Sequence, residues 1–301
     1  MSKNLFTDYL ALLFLSAIWG SSFLFIKLSV DTIPPSLMTF FRLFIASLIL
    51  IFYLKFSSNQ KIFIFDNFFK LIFIAFFGNL IPFNLISWSE LYVDSVVAST
   101  LIGSMPLFTC IISHFSTSGE KIKFITLLGL LFGFMGIIFL MNPGFSQIFS
   151  ASNFYSFTIL FSALCYALSA NCVKEISGMT SIQVATISTI YATFFSFITT
   201  VSVFQVQKIS LLETITNISV TSMIACLMLS IFCTAIAIIV FFYLIKKNSA
   251  VFASQSNFFI PCFGFIWSFI FLNENIDIKL IFSLIFIVIG LCLVHKGRKY
   301  N

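Results

Sequence analysis

The sequence predicts an all-α integral membrane protein with ten transmembrane helices, arranged as two inverted five-helix repeats. Three observations carry that prediction. The 301 residues are 60% hydrophobic and only 9% charged, against roughly 25% charged in a soluble domain, and the mean hydropathy is +1.11. Ten segments approach the ~20 residues that a span needs, with short loops between them. The second half also echoes the first. Ser95-Val96-Val97-Ala98-Ser99 leads to Pro106 and then Glu120, and Ala250-Val251-Phe252-Ala253-Ser254 leads to Pro261 and then Glu274. A repeat holding an odd number of spans returns its copy inverted across the bilayer, an architecture used by secondary transporters.

The spans are expected at about 8–28, 36–56, 68–88, 95–116, 124–141, 154–173, 183–203, 220–245, 251–272 and 279–296. Pro106 and Pro261 stand 155 residues apart, and Glu120 and Glu274, like Gly136 and Gly290, stand 154 apart. Lys27 and Lys174 form a weaker pair, each closing a long apolar segment. The polar stretch from Asn142-Pro143-Gly144 to Asn153 is the natural seam, because Pro and Gly stop a helix and turn the chain. It divides the chain into repeats 1–147 and 148–301. The first span has the length of a membrane helix and lacks a convincing cleavage site, so it is expected to be retained. In the fifth span Gly129, Gly133 and Gly136 form a small-xxx-small stripe that lets backbones approach closely. Ser283, Ile287 and Gly290 stand at the equivalent places in the tenth. Such a stripe suits packing within one chain or a seam between two, so a monomer or a homodimer is expected.

The formal charge of +6 does not point to nucleic acid. With the N-terminus inside, twelve Lys and Arg residues fall on the cytoplasmic side and four, Lys27, Arg42, Lys208 and Lys279, on the other. That bias orients membrane proteins and places both termini of a multi-pass protein in the cytoplasm, in the cytoplasmic (inner) membrane. The seven cysteines all fall in spans with no Cys-x-x-Cys pair, which indicates neither a disulfide framework nor a zinc site. No cofactor is expected.

Hydroxyls and amides within apolar helices should face a partner helix or water. On that ground Asn84, Ser87 and Trp88 share one face of the third span beside Pro82. Thr100 and Ser104 share a face before Pro106. Ser162, Tyr166 and Ser169 do the same in the sixth span, and Ser230 and Thr234 in the eighth. Ser254-Gln255-Ser256-Asn257, before Pro261, is the densest polar run, with Gln255 and Asn257 favoured toward a pathway. Trp19, Tyr166 and Trp88 could offer aromatic surface. Prolines free a carbonyl one turn back, so Pro82, Pro106 and Pro261 mark expected kinks. The structural alternative for each polar group is interhelical hydrogen bonding, worth ~0.6 kcal/mol on average.

No acid is expected at the middle of a span, and Glu90 is an acid at a span edge. Lys27 and Arg42 lie near the outer ends of their helices, where snorkelling to the interface is the default. The functional alternative has Lys27 facing a cavity and attracting a carboxylate. His114 and His295, near span ends, suit structural or interfacial roles.

The run Ala17-Ile18-Trp19-Gly20-Ser21-Ser22-Phe23, then Lys27, Pro34-Pro35 and Phe40-Phe41-Arg42, joins the Pro106 and Pro261 spans and the Glu120 and Glu274 turns in a recognisable order. Over essentially its whole length the chain resembles the drug/metabolite transporter superfamily and, within it, the EamA-type transporters. The resemblance implies two inverted EamA-like five-helix repeats around a central cavity lined by spans such as one, three, four, six, eight and nine. It implies movement of small metabolites, often amino acids or related compounds and often outward. Candidate substrate contacts are Trp19, Ser22, Asn84, Trp88, Ser104, Tyr166, Gln255 and Asn257, with Lys27 and Glu90 available for charge recognition or coupling. The function expected is alternating-access transport, without catalysis. An intramembrane enzyme is the alternative of another class, but no Gly-x-Ser-x-Gly elbow or His-x-x-x-His pair occurs. An uptake carrier or exchanger for a nucleoside-like or cationic metabolite is the other alternative. No phosphate-binding loop for ATP is present.

Overall fold

The computed structural model describes residues 3–57, 67–115, 123–141, 153–272 and 278–298. The turn acids Glu120 and Glu274 and the seam at Asn142-Pro143-Gly144 lie outside them. A chain this apolar leaves its backbone few polar partners except its own, and helices satisfy it within each segment. The elements are α1 Lys3–Val30, α2 Pro35–Ser57, α3 Phe68–Ala75, α4 Ile81–Ser89, α5 Ser95–Ile102, α6 Met105–Phe115, α7 Phe124–Met141 and α8 Asn153–Glu175. They continue with α9 Ser181–Gln207, α10 Leu211–Thr216, α11 Val220–Ser230, α12 Ala237–Lys247, α13 Ala250–Ser254, α14 Ser256–Leu272 and α15 Ile278–Arg298. Among the described residues eight helices are long and apolar enough to cross a membrane; α3–α4, α5–α6, α11–α12 and α13–α14 each count as one. α7 and α15 hold shorter apolar stretches, Phe124–Gly136 and Ile285–Val294.

Two spans widen near their middles into π-helical turns, Phe76–Leu80 between α3 and α4 and Ile231–Ile236 between α11 and α12. Their first residues are 155 positions apart in the chain. The first precedes Pro82, which cannot donate to the carbonyl one turn back and would crowd it. In the second, Thr234 Oγ1 donates to the Leu229 carbonyl, five residues back, at 2.8 Å. Two other spans break. Tightened bonds at Ser104 N to Leu101 O (3.0 Å) and Gln255 N to Phe252 O (3.2 Å) mark the ends of α5 and α13. Pro106 then opens α6, where a missing N–H costs little. Pro261 lies inside α14, past the break at Gln255.

Side-chain bonds between helix ends give the helix directions. At one end Asp8 of α1 pairs with Lys247 at 2.7 Å and accepts from Asn248 Nδ2 at 3.1 Å. Lys174, at the end of α8, donates to the Lys246 and Asn248 carbonyls at 3.3 and 2.8 Å. At the other end Lys27 of α1 donates to the Glu90 carbonyl at 2.8 Å, and Ser222 of α11 to that of Leu28 at 2.7 Å. The Ser89 hydroxyl meets that of Thr158, near the start of α8, at 2.5 Å. Thus α1 and α3–α4 run from the Asp8 end to the Glu90 end, whereas α8 and α11–α12 run the opposite way. α1 packs on α14 and α11, α8 on α4 and α6, α2 on α9, and α7 on α15.

The glycine stripe works inside the chain. A Cβ on Gly290 would lie 2.6 Å from the Gly129 carbonyl oxygen and 2.8 Å from Gly133 N, too close for either backbone to stay in place. Gly290→Ala is therefore expected to cost about 1–3 kcal/mol, as overpacking does, and to lower the thermal midpoint in detergent. The exposed Leu131→Val change on α7 serves as the near-neutral control. An unchanged midpoint for Gly290→Ala would contradict this helix contact.

Candidate functional site

Between the two ends lies a cavity of about 70 Å³. Trp19, Ser22, Phe23 and Ile26 form one face of α1 on its wall. On α1 the wall begins at Trp19, 11 residues beyond Asp8 and roughly 16 Å from it at ~1.5 Å per residue, and ends at Ile26, next to Lys27, so the cavity extends from mid-depth to the Glu90 end. Small-molecule sites have roughly 300–1,000 Å³, so this cavity is narrow.

The irregular turns build the wall. The first contributes Gly78 and Asn79 and the second Cys233. π turns leave carbonyls outside the regular ladder, and Trp19 Nε1 donates to that of Cys233 at 3.2 Å. The Trp19 ring meets Phe241 edge-on at 4.9 Å. Gly78 is a tight position, because a Cβ there would collide with the Ser169 hydroxyl. From the second half Tyr166, Ser169, Phe241, Phe242 and Asn257 complete the wall. Asn257 Nδ2 lies 3.2 Å from Met105 Sδ and 3.0 Å from the Ser254 carbonyl.

One full charge sits on this wall. Arg42 of α2 is 4% exposed and lines the cavity. Its Nε donates to Thr234 Oγ1 at 2.6 Å, and its guanidinium carbon lies 3.6 Å above the Phe83 ring. The snorkelling expected of Arg42 is thus corrected. It belongs to the stripe Thr39, Arg42, Leu43, Ala46 and Leu50, whose members are all buried, while Phe44, Leu48 and Phe52 face outward. Among the described residues the one ion pair is Asp8–Lys247, so no carboxylate meets Arg42 directly.

Of the substrate contacts expected from sequence, Trp19, Ser22, Tyr166 and Asn257 line the cavity. Asn84, Trp88, Ser104 and Gln255 do not. The Asn84 amide donates to the Leu80 carbonyl at 2.9 Å and the Ser104 hydroxyl to that of Leu101 at 2.7 Å. Trp88 is 36% exposed and sits edge-on to Tyr92, Phe154 and Tyr155. Gln255 is wholly buried in the break between α13 and α14, and neither atom of its amide has a partner. Residues absent from the sequence expectation are Arg42, Asn79, Phe83 and Cys233. For Arg42 the available signal was its position on a stripe with the small residues Thr39 and Ala46.

Lys27 and Glu90 close the Glu90 end and are not on the cavity wall. Glu90, one residue past the span, is not an exposed edge acid but fully buried (0% exposed). Ser95 Oγ donates to its Oε2 at 3.2 Å, and Oε1 has no partner. Burial pushes this carboxyl well above the usual carboxylate range, against the Ser95 hydrogen bond and the Lys27 and Arg42 charges.

The same architecture is found in known proteins. The EamA-like transporter family matches residues 7–142 and again 153–295. The uncharacterized transporter YoaV of Bacillus subtilis is 25% identical over 94% of each chain. YvbV, an uncharacterized transporter of the same organism, is 26% identical over 96% of this chain and 92% of its own. Protein PagO of Salmonella typhimurium is 33% identical over 38% of each. A crystal structure at 15% identity superposes with a TM-score of 0.72 over 96% of each chain, a likeness of fold. With two family matches spanning most of its length, and its long apolar helices folded around a central cavity, the chain belongs to the EamA-like transporter family and is a membrane transporter.

Proposed function

We propose that the chain is a ten-span secondary carrier that moves a small metabolite across the cytoplasmic membrane by alternating access, most simply as efflux of an amino acid or related compound. The observation that carries this reading is the cavity itself. It is narrow, extends from mid-depth to the Glu90 end and draws its wall from both halves, and side-chain hydrogen bonds join the helix ends on either side of it. A carrier needs a central site that two alternative openings can reach.

Two inverted repeats, 1–147 and 148–301, are part of the proposal. The opposite directions of α1 and α8, and of α3–α4 and α11–α12, support it, as do the π turns that begin 155 residues apart. The excess of Lys and Arg on one side supports cytoplasmic termini, which would make the Asp8 end the cytoplasmic one. Within this reading Trp19, Ser22, Tyr166 and Asn257 contact substrate. Gln255, buried with an unsatisfied amide beside the helix break, gains partners as the halves rock.

Reconstituted protein and a labelled panel of amino acids, a nucleoside and an organic cation test the reading. Saturable uptake of one class, accelerated by preloaded substrate or by a pH gradient, is expected. No saturable flux across that panel from folded protein would count against it.

The Asp8–Lys247 pair should act as one closure. In a background with the native cysteines replaced, a Ser22→Cys probe is expected to react several-fold faster with an impermeant thiol reagent from the Asp8 side once Asp8→Asn is introduced. Raised salt should act in the same direction, because Lys247 is 34% exposed and its pair is open to screening. Equal reactivity with and without Asp8→Asn would remove that closure from the mechanism.

Glu90 is the group available for proton coupling. Its folded-state pKa is raised, so the native state holds a proton that the unfolded state releases near pH 4.5, the ordinary value. That stability is fully present below about pH 4.5 and is lost as pH rises through the folded value. Glu90→Gln should therefore match the parent at low pH and gain thermal midpoint on it as pH increases. Parallel midpoint–pH curves would show that Glu90 does not hold this proton.

A further inference from the structure

We infer that the cavity is a carboxylate site in which the Arg42 guanidinium binds the single negative charge of a mainly apolar metabolite. The inference rests on the carrier reading for its consequence in transport, although its binding test stands apart from flux.

Arg42's hydrogen-bonding valence is only partly used by the protein. A guanidinium has five N–H donors in a planar fork. Here Nε alone is committed, to Thr234, while one face covers the Phe83 ring. The terminal nitrogens, which suit a bidentate carboxylate, make no hydrogen bond among the described residues. A buried charge left so incompletely paired is costly, and removing it from water is repaid only by a well-placed counter-charge. Among the described residues no acid lines the wall. The nearest acid acting on Arg42, Glu90, belongs to the end closure and is itself held toward its neutral form.

Other orphaned groups on the wall point the same way. Asn79, 1% exposed, has a side-chain nitrogen without a partner, and so has the Ser22 hydroxyl, on the α1 face of the cavity. Each can donate, and both line the cavity with Arg42. The rest of the wall, including Phe83, Ile102, Phe241 and Ile260, is apolar or aromatic. One fixed positive charge balances a monoanion, whereas a dianionic phosphate would leave a negative charge uncompensated in a low-dielectric wall. An organic cation would meet Arg42 with the same sign. The role expected from sequence for Lys27 thus falls to Arg42, because Lys27 is committed to the Glu90 carbonyl.

The test uses three compounds of matched shape: 3-phenylpropionate, its neutral amide, and 3-phenylpropylamine. Binding to the purified full chain is measured by calorimetry and by thermal shift at neutral pH. The acid is expected to bind about tenfold to a hundredfold more tightly than the amide, as a charged hydrogen-bond pair does. The amine should not bind. Arg42→Gln keeps a donor for Thr234 and removes the charge, so it should erase the preference for the acid. Arg42→Lys should keep part of it. Equal affinity of acid and amide, tighter binding of the amine, or no binding of the acid by the parent protein would overturn the inference, with no dependence on how the variants fold. The parallel flux assay separates the two readings. Flux restricted to neutral or cationic compounds would keep the carrier and reject the carboxylate site. Acid binding without any flux would keep the site and reject the carrier.

Discussion

A guanidinium withdrawn from both water and lipid is the constraint around which the middle of this molecule is arranged. Charge at that depth is expensive and is tolerated where a cavity or specific partners receive it. Arg42 is fixed on α2 by buried packing along Leu43, Ala46 and Leu50. Its two protein contacts come from elsewhere, Thr234 from a π turn of the second half and Phe83 from the helix that follows a π turn of the first. Regular helices through both regions would set these side chains at other angles.

The irregular backbone and the charge are therefore one arrangement. Non-helical backbone at membrane depth survives where it is buried in protein or lines a cavity, and π turns are common at functional sites. Here both turns reach the cavity wall, and the Cys233 carbonyl is met by the Trp19 indole. Pro82 gives the first turn a covalent cause. The second has no proline, and its threonine bonds five residues back while accepting from Arg42. A side chain and a charge do there what a proline ring does in the other half.

How much of this was legible in the sequence follows from what each signal measures. Apolar run length located the eight helices that are long and apolar enough to cross a membrane, since hydrocarbon thickness sets it directly. The Gly129 and Gly133 stripe was legible as a helix contact, because only a missing side chain allows two backbones so close; its partner, Gly290, was named but not joined to it. The cavity was half legible. Trp19, Ser22, Tyr166 and Asn257 were found because polar and aromatic groups in apolar helices need an inside face. Asn84 and Ser104 carry the same signal but satisfy it locally, by donating to carbonyls of their own helix, and no residue pattern distinguishes these two outcomes. Arg42 was misplaced because its distance from the helix end suited snorkelling. Helical phase, not depth, decides where its side chain goes.

The two closures differ in kind, and the difference bears on which opens more readily. At the Asp8 end a buried acid meets a lysine whose side chain is 34% exposed, so water and salt reach one partner of the pair. At the Glu90 end an exposed lysine, Lys27, meets the backbone of a buried acid, while the Ser89 and Ser222 hydroxyls are buried, and separating those leaves polar atoms unmet until water arrives, at about 1–3 kcal/mol each. Glu90 already has one oxygen without a partner there. In the carrier proposed above, opening at the Asp8 end would part a pair that water and salt already reach through Lys247. Opening at the other end requires water, a proton or a bound ligand to compensate what separation exposes.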